Sequence, residues 1–196
     1  AIADQFRRVK WPLLEEAIGR GATRGPSSKL IMVTSSVPGE GKTFCSINLA
    51  MSMARERDVS VVLVDGDIRK ADITHVVGAQ AELGLSNLIS SENLTLADVV
   101  RRTTRERLYF LPAGGFADNL PELCASRRMN QVLRELSLLG PRTLVILDTA
   151  PLLLTNETQV ISKEVGQVVF VVKADATEHS VATSAIELLD AAPIVS

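Results

Sequence analysis

Five short apolar, largely β-branched runs divide the chain: Leu30–Thr34, Val59–Val64, Leu108–Leu111, Leu144–Leu147 and Val168–Val172. Each is continuous rather than alternating, as expected of strands buried on both faces. Between and after them, apolar residues recur at helical spacing over Phe44–Arg55, Leu96–Arg102, Arg127–Leu139, Glu157–Lys163 and Glu178–Ala191. This alternation predicts an α/β fold with a doubly wound, mainly parallel sheet, in which ligands bind at the carboxyl ends of the strands. Ahead of the first run, Ala1 to Gly19 has helical spacing, with Ile2, Phe6, Val9 and Leu13 on one apolar face. Pro12 is expected to kink or divide that helix. Asp4, Arg7 and Lys10 lie three apart on another face, expected to be solvated. Gly19 to Ser28 is rich in Gly, Ser and Pro and reads as a linker. The segment between Asp67 and Arg107 is less regular, with a small helix expected near Leu83–Ile89. Asn119–Leu123 reads as a turn into a helix, and Pro193–Ser196 as the opening of a further strand, cut short.

The first strand runs into Thr34-Ser35-Ser36-Val37-Pro38-Gly39-Glu40-Gly41-Lys42-Thr43, and a helical pattern follows at once. Strand, glycine-containing turn, Lys-Thr and helix is the layout of a phosphate-binding P-loop. Gly39 and Gly41 let the backbone curl so that its N–H groups converge on phosphate oxygens, and the helix dipole adds to the pull. Lys42 can reach the β- and γ-phosphates, and the Thr43 hydroxyl can ligate Mg²⁺. The general pattern has glycine where this chain has Ser36. The domain reading is therefore residues 1–28 as helix and linker and 29–196 as one P-loop domain.

Two further strand ends carry carboxylates. Val61–Val64 delivers Asp65 and Asp67, separated by Gly66 and followed by Ile68 and Arg69. Carboxylates at i and i+2 point the same way if the strand continues. They suit holding Mg²⁺ or its waters, and one of them could accept a proton from an attacking hydroxyl. Arg69 could neutralise phosphate charge. Leu144–Leu147 delivers Asp148, in the position of a Walker-B carboxylate facing the Mg²⁺ shell.

Composition narrows the picture. The 196 residues suggest one domain, and hydrophobic residues at 46% with charged residues at 22% are an ordinary globular balance. Aromatics at 4% leave an aliphatic core, and a net charge of −2 argues against a general nucleic-acid binder. No apolar run approaches the roughly 20 residues of a membrane span, and no secretory signal opens the sequence. Cys45 and Cys124 fit a reducing compartment and make no zinc pattern. Cys45 reads as a small core residue rather than a dipole-activated thiol. His75 and His179 read as surface or helix-end residues, and Tyr109, the single tyrosine, as a packed strand residue.

With these motifs in view, the chain resembles the cytoplasmic kinase domain of the bacterial tyrosine kinases (BY-kinases). Within them it is most similar to the tyrosine autokinases of exosortase and exopolysaccharide systems. Ser36–Thr43 matches that family's Walker A, Val62–Arg69 its second motif A′, and Val145–Pro151 its Walker B, with Ala150 where proline is usual. Leu111–Gly114 and Pro121–Leu123 also fall where the family places them. The resemblance implies a P-loop fold close to the partitioning ATPases and transfer of the ATP γ-phosphoryl to a protein tyrosine. It implies ATP contacts from Pro38, Gly39, Glu40, Gly41, Lys42, Thr43, Phe44 and Arg69, and Mg²⁺ held through Thr43, Asp65 and Asp148. Lys42, Asp65, Asp67 and Asp148 would form the catalytic set, with Asp67 as base or metal-shell residue. It implies a membrane chain-length determinant protein as activator and a cytoplasmic location at the inner face of the inner membrane through that partner. It also implies a homo-oligomer docking through an E-x-x-R-x-x-R helix, for which Asp4-x-x-Arg7-x-x-Lys10 is the candidate. The family's usual C-terminal tyrosine cluster and adenine-contacting tail are not among these residues. Two alternatives stand beside the kinase: a partitioning-type ATPase switch, disfavoured because Ser35–Pro38 hold no lysine, and a nucleotide-binding regulatory protein without phosphoryl transfer.

Overall fold

A computed structural model of the chain describes residues 2–19, 25–80, 82–115, 119–189 and 194–195. Its strands are β1 (Leu30–Ser35), β2 (Ser60–Asp65), β3 (Arg101–Arg102), β4 (Leu108–Leu111), β5 (Thr143–Asp148), β6 (Gln167–Val171) and β7 (Ile194–Val195). Its α-helices are α1 (Ile2–Ile18), α2 (Lys42–Met53), α3 (Asp72–Val76), α4 (Leu85–Ser90), α5 (Leu96–Val99), α6 (Leu120–Cys124), α7 (Arg127–Ser137), α8 (Asn156–Ser162) and α9 (His179–Ile186). The seven strands form one sheet in the order β3-β4-β2-β5-β1-β6-β7. Every pairing is parallel except β3 with β4.

The continuous apolar strands are buried on both faces because successive side chains alternate between two cores. Leu30, Met32, Val62, Val64, Val145 and Leu147 face one cluster, completed by α4, α7 and α8. Ile31, Val33, Val61, Leu63, Leu144 and Ile146 face the other, completed by α1 and α2. Tyr109 is half-buried in β4 and packs on the first cluster.

The helix boundaries shift in informative ways. α1 runs unbroken through Pro12, contrary to the expected division. Pro12 and Arg8, whose carbonyl loses its i+4 donor, are both exposed, so water can take that carbonyl. Lys10 is not solvated: it is 6% exposed, and its ammonium donates to Glu56 Oε1 at 2.6 Å and to the Ser52 carbonyl at 3.2 Å. Lys10 thereby ties α1 to the end of α2, which removes it from any docking motif facing a neighbour. Of Asp4 only the backbone lies within the described residues. The helix expected over Leu96–Arg102 stops at Val99. Arg101 and Arg102 instead form an antiparallel edge strand, where charged side chains blunt further pairing. Part of the expected linker, Pro26–Lys29, is a 3-10 turn, while 20–24 lie outside the described residues. The C-terminal strand expectation is met at Ile194–Val195, beside β6.

Candidate active site

Three strand ends meet at one edge of the sheet. β1 lies between β5 and β6, and Asp65 is in register with Asp148 across β2 and β5. After Ser35 the chain turns through Gly39 (φ 86°) and Gly41 (φ 97°), backbone conformations that side chains with a Cβ rarely adopt. Gly41 caps α2, so helix α2 opens at Lys42, two residues earlier than its apolar pattern suggests. The first N–H groups of a helix have no intrahelical partner and carry the positive end of the dipole, which here faces the loop.

Lys42 and Asp67 are both buried, with Nζ 3.4 Å from Asp67 Oδ2. The Thr43 hydroxyl donates to Asp148 Oδ2 at 2.8 Å and the Ser46 hydroxyl to Asp148 Oδ1 at 2.9 Å. Because Thr43 gives its proton to Asp148, its lone pairs are left for a cation. Burial raises the Asp148 carboxyl above its usual range, against the opposing pull of Lys42, Thr43 and Ser46. Asp65 Oδ2 accepts from the Thr74 amide at 2.8 Å and the Thr74 hydroxyl at 2.7 Å. Burial nonetheless raises Asp65 from 3.8 to about 6, helped by Asp148 and Asp67. The strand ends at Asp65, so the condition for the i, i+2 pair to share one direction is not met: Asp65 is held by α3 and Asp67 by the P-loop lysine.

The residues fit a divalent cation. Asp65 Oδ1 is buried and has no hydrogen-bond donor among the described residues, and negative charge is concentrated where burial penalises it. No group of three or more His, Cys, Asp or Glu among the described residues is arranged as a metal cage. A hydroxyl with one or two carboxylates is the kind of donor set that Mg²⁺ takes, alongside waters and substrate phosphates.

Other assigned residues sit differently. Arg69 is half-exposed and held by Glu157 on α8, at 2.9 and 3.3 Å, and lines a cavity with Asp67. Phe44 is exposed and meets Phe6 of α1 in a tilted ring contact of 6.4 Å. Pro38 is exposed at the apex of the loop. Glu40 is buried, its Oε2 accepting from Val37 N at 2.8 Å. Ser36, in the position of the missing glycine, is fully buried and its hydroxyl has no partner among the described residues. Cys45 is half-buried and its thiol is pushed up by burial and by Asp148, as a packed residue would be; Cys124 is buried and pushed up to about 11. His75 and His179 are exposed on α3 and α9.

Ser46 and Thr74, which hold the carboxylates of the candidate site, are residues that sequence reasoning missed. Ser46 had a legible signal, being one turn past Lys42 on the same helix. Thr74 had none, because α3 packs against the end of β2 only in the folded chain. Gly66 is the remaining constraint: its N–H donates to the Asp148 carbonyl at 2.8 Å, and a Cβ there would lie 2.9 Å from that same oxygen. Gly66→Ala should push β2 from β5 at the site, costing about 1–3 kcal/mol and weakening nucleotide binding. An unchanged urea midpoint with unchanged ATP affinity would refute this.

Comparison with known proteins places the chain among kinases. No family model matches it. It is 30% identical over 161 residues to the putative tyrosine-protein kinase CapB of Staphylococcus aureus, covering 82% of this chain and 69% of that protein. It is 26% identical over 187 residues to the tyrosine-protein kinase YwqD of Bacillus subtilis (strain 168), covering 95% and 75%. The solved kinase domain of VpsO superposes with a TM-score of 0.81 at 27% identity, covering 99% of this chain and 93% of that one. McdA of Cyanthece, at 18% identity and a TM-score of 0.69, shares the fold alone.

Proposed function

The chain belongs to the bacterial tyrosine-protein kinases and is a protein-tyrosine kinase, and from that premise we propose that Lys42, Thr43, Asp65, Asp67 and Asp148 transfer the γ-phosphoryl of ATP to a tyrosine of a protein tail. The observation that carries this reading is their convergence at the ends of β1, β2 and β5. The P-loop amides and Lys42 hold and orient the phosphates, so that catalysis rests on positioning and charge stabilisation. Thr43, Asp65 and Asp148 would hold Mg²⁺, which when bound neutralises charge on the phosphate oxygens. Asp67 takes the proton of the attacking tyrosine hydroxyl. Lys42 beside it supplies the counter-charge that a buried carboxylate needs.

Regulation of exopolysaccharide synthesis or export, activation by a membrane chain-length determinant protein and assembly into a homo-oligomer complete the proposal. No helix among the described residues is long and apolar enough to cross a membrane, and location at the inner face of the membrane is proposed to come through that partner. Since Lys10 is committed to α2, an oligomer contact through α1 would rest on Arg7 and Arg8, both exposed.

The test is incubation with Mg-ATP and a tyrosine-rich tail peptide, followed by phosphotyrosine detection. Wild type labels the peptide. Asp67→Asn keeps ATP affinity within a fewfold while transfer falls by about 10²–10⁴, the usual worth of a positioned base. Absence of label on the peptide with ATP bound would sink the reading, and equal loss of binding and transfer in Asp67→Asn would make Asp67 structural.

A further inference from the structure

Glu40 is a carboxylate inside a loop built to attract anions, and its side chain is engaged on the side opposite Asp65, Asp67 and Asp148. It is 7% exposed. Its Oε2 accepts from Val37 N at 2.8 Å, within the P-loop. Its Oε1 accepts from the Thr177 hydroxyl at 2.5 Å and stands 3.5 Å from Lys173 N, both in the segment that joins β6 to α9. One carboxylate therefore joins the P-loop to residues 172–178. That segment is otherwise exposed: Val172, Lys173, Asp175 and Glu178 face solvent, and Asp175 holds a positive φ of 59°. Among the described residues its other hydrogen bonds are short-range, such as those from Thr177 N and Ala176 N to the Lys173 carbonyl.

The sheet order gives this contact a direction. β1 is flanked by β5 on one side and β6 on the other. The carboxylates and Lys42 occupy the β2–β5 flank, so the terminal phosphate and its cation belong there. A nucleotide lying along the P-loop must then direct its nucleoside over the β6 flank, where 172–178 stands. We propose that Glu40 is a positioning residue that couples the two halves of the nucleotide site, holding the 172–178 segment in place for the nucleoside through Thr177 while fixing the P-loop through Val37. The inference rests on the reading of this site as an ATP site. A segment ordered before the ligand arrives need not be ordered by it, so the coupling appears as affinity owed to the nucleoside alone.

Calorimetric titration of the whole chain with Mg-ATP and, separately, with inorganic tripolyphosphate in Mg²⁺ isolates that increment. Wild type is expected to bind ATP more tightly than tripolyphosphate. Thr177→Val removes only the cross-link and leaves the Val37 bond; it should weaken ATP about tenfold, the size of one hydrogen bond to a charged group, with tripolyphosphate changed less than twofold. Thr177→Ser keeps the hydroxyl and should restore ATP affinity. Equal weakening of both ligands by Thr177→Val would mean general loosening and overturn the coupling, as would no effect on either. If wild type bound neither ligand, the ATP-site reading itself would fall and this inference with it, a result distinct from the variant outcomes.

Discussion

Lys42→Met is expected to lower phosphoryl transfer by about 10²–10³ or more, the cost of removing one donor to charge that develops in a transition state. The structure makes the loss twofold in origin. Lys42 is 7% exposed at the opening of α2, beside the loop proposed to hold the phosphates. Its present partner is Asp67, itself 5% exposed. Removing the ammonium leaves that carboxylate buried without its counter-charge. One substitution therefore removes a phosphate contact and the partner that holds Asp67 in place. The same argument predicts a stability loss on the order of 3 kcal/mol, most of it recovered when Asp67→Asn is added. Peptide phosphorylation and urea unfolding of the single and double variants measure the two parts. Transfer within threefold of wild type in Lys42→Met would refute the assignment of Lys42. Failure of the double variant to recover stability would refute the ion-pair argument.

Asp65→Asn is expected to stabilise the metal-free protein above pH 6 and to do so less as the pH falls. Asp65 is fully buried, and its carboxyl is raised from 3.8 to about 6, burial being the largest cause. A raised acid binds its proton more tightly in the folded than in the unfolded chain. Its favourable contribution is therefore complete below about pH 4 and is lost as the pH rises through 6. At about 1.4 kcal/mol per pH unit, the gap corresponds to about 3 kcal/mol of stability that the metal-free fold forgoes at neutral pH. Asparagine keeps an oxygen for the Thr74 amide and carries no charge. Denaturant unfolding with a chelator at pH 5 and pH 8 tests this, read as the difference between wild type and variant so that other carboxylates cancel. Mg²⁺ with nucleotide should close the gap at pH 8 in wild type and not in the variant. A difference that is the same at both pH values would show that Asp65 does not titrate in this range.

The parts of this molecule legible in its sequence are those set by local pattern. The strands at Leu30–Ser35, Ser60–Asp65, Leu108–Leu111, Thr143–Asp148 and Gln167–Val171 follow their apolar runs within a residue or two. A run apolar at every position has nowhere stable to go except between two cores. The P-loop was legible because glycine, lysine and threonine in that order have few other uses. Asp65, Asp67 and Asp148 were legible as strand ends, and the parallel sheet then carried them to one edge.

What the tertiary structure alone decided is the pairing of side chains distant in sequence. Lys10 looked like one charge on a solvated face, but the packing of α1 on α2 buries it against Glu56, where an unpaired ammonium would be costly. Pro12 looked like a break, but its side of α1 faces water, which can satisfy the freed carbonyl. Thr74, Ser46 and Thr177 are ordinary hydroxyl residues whose worth depends on which carboxylate stands opposite, and that is fixed by how α3, α2 and the β6–α9 connection come to rest on the sheet. The sequence determined the kinase's sheet, its phosphate loop and the identity of its acids, because each is a matter of periodicity or backbone freedom within a few residues. The fold decided which of those acids is held by a threonine, which by a lysine and which joins two loops, because charge and hydrogen bonding act through space.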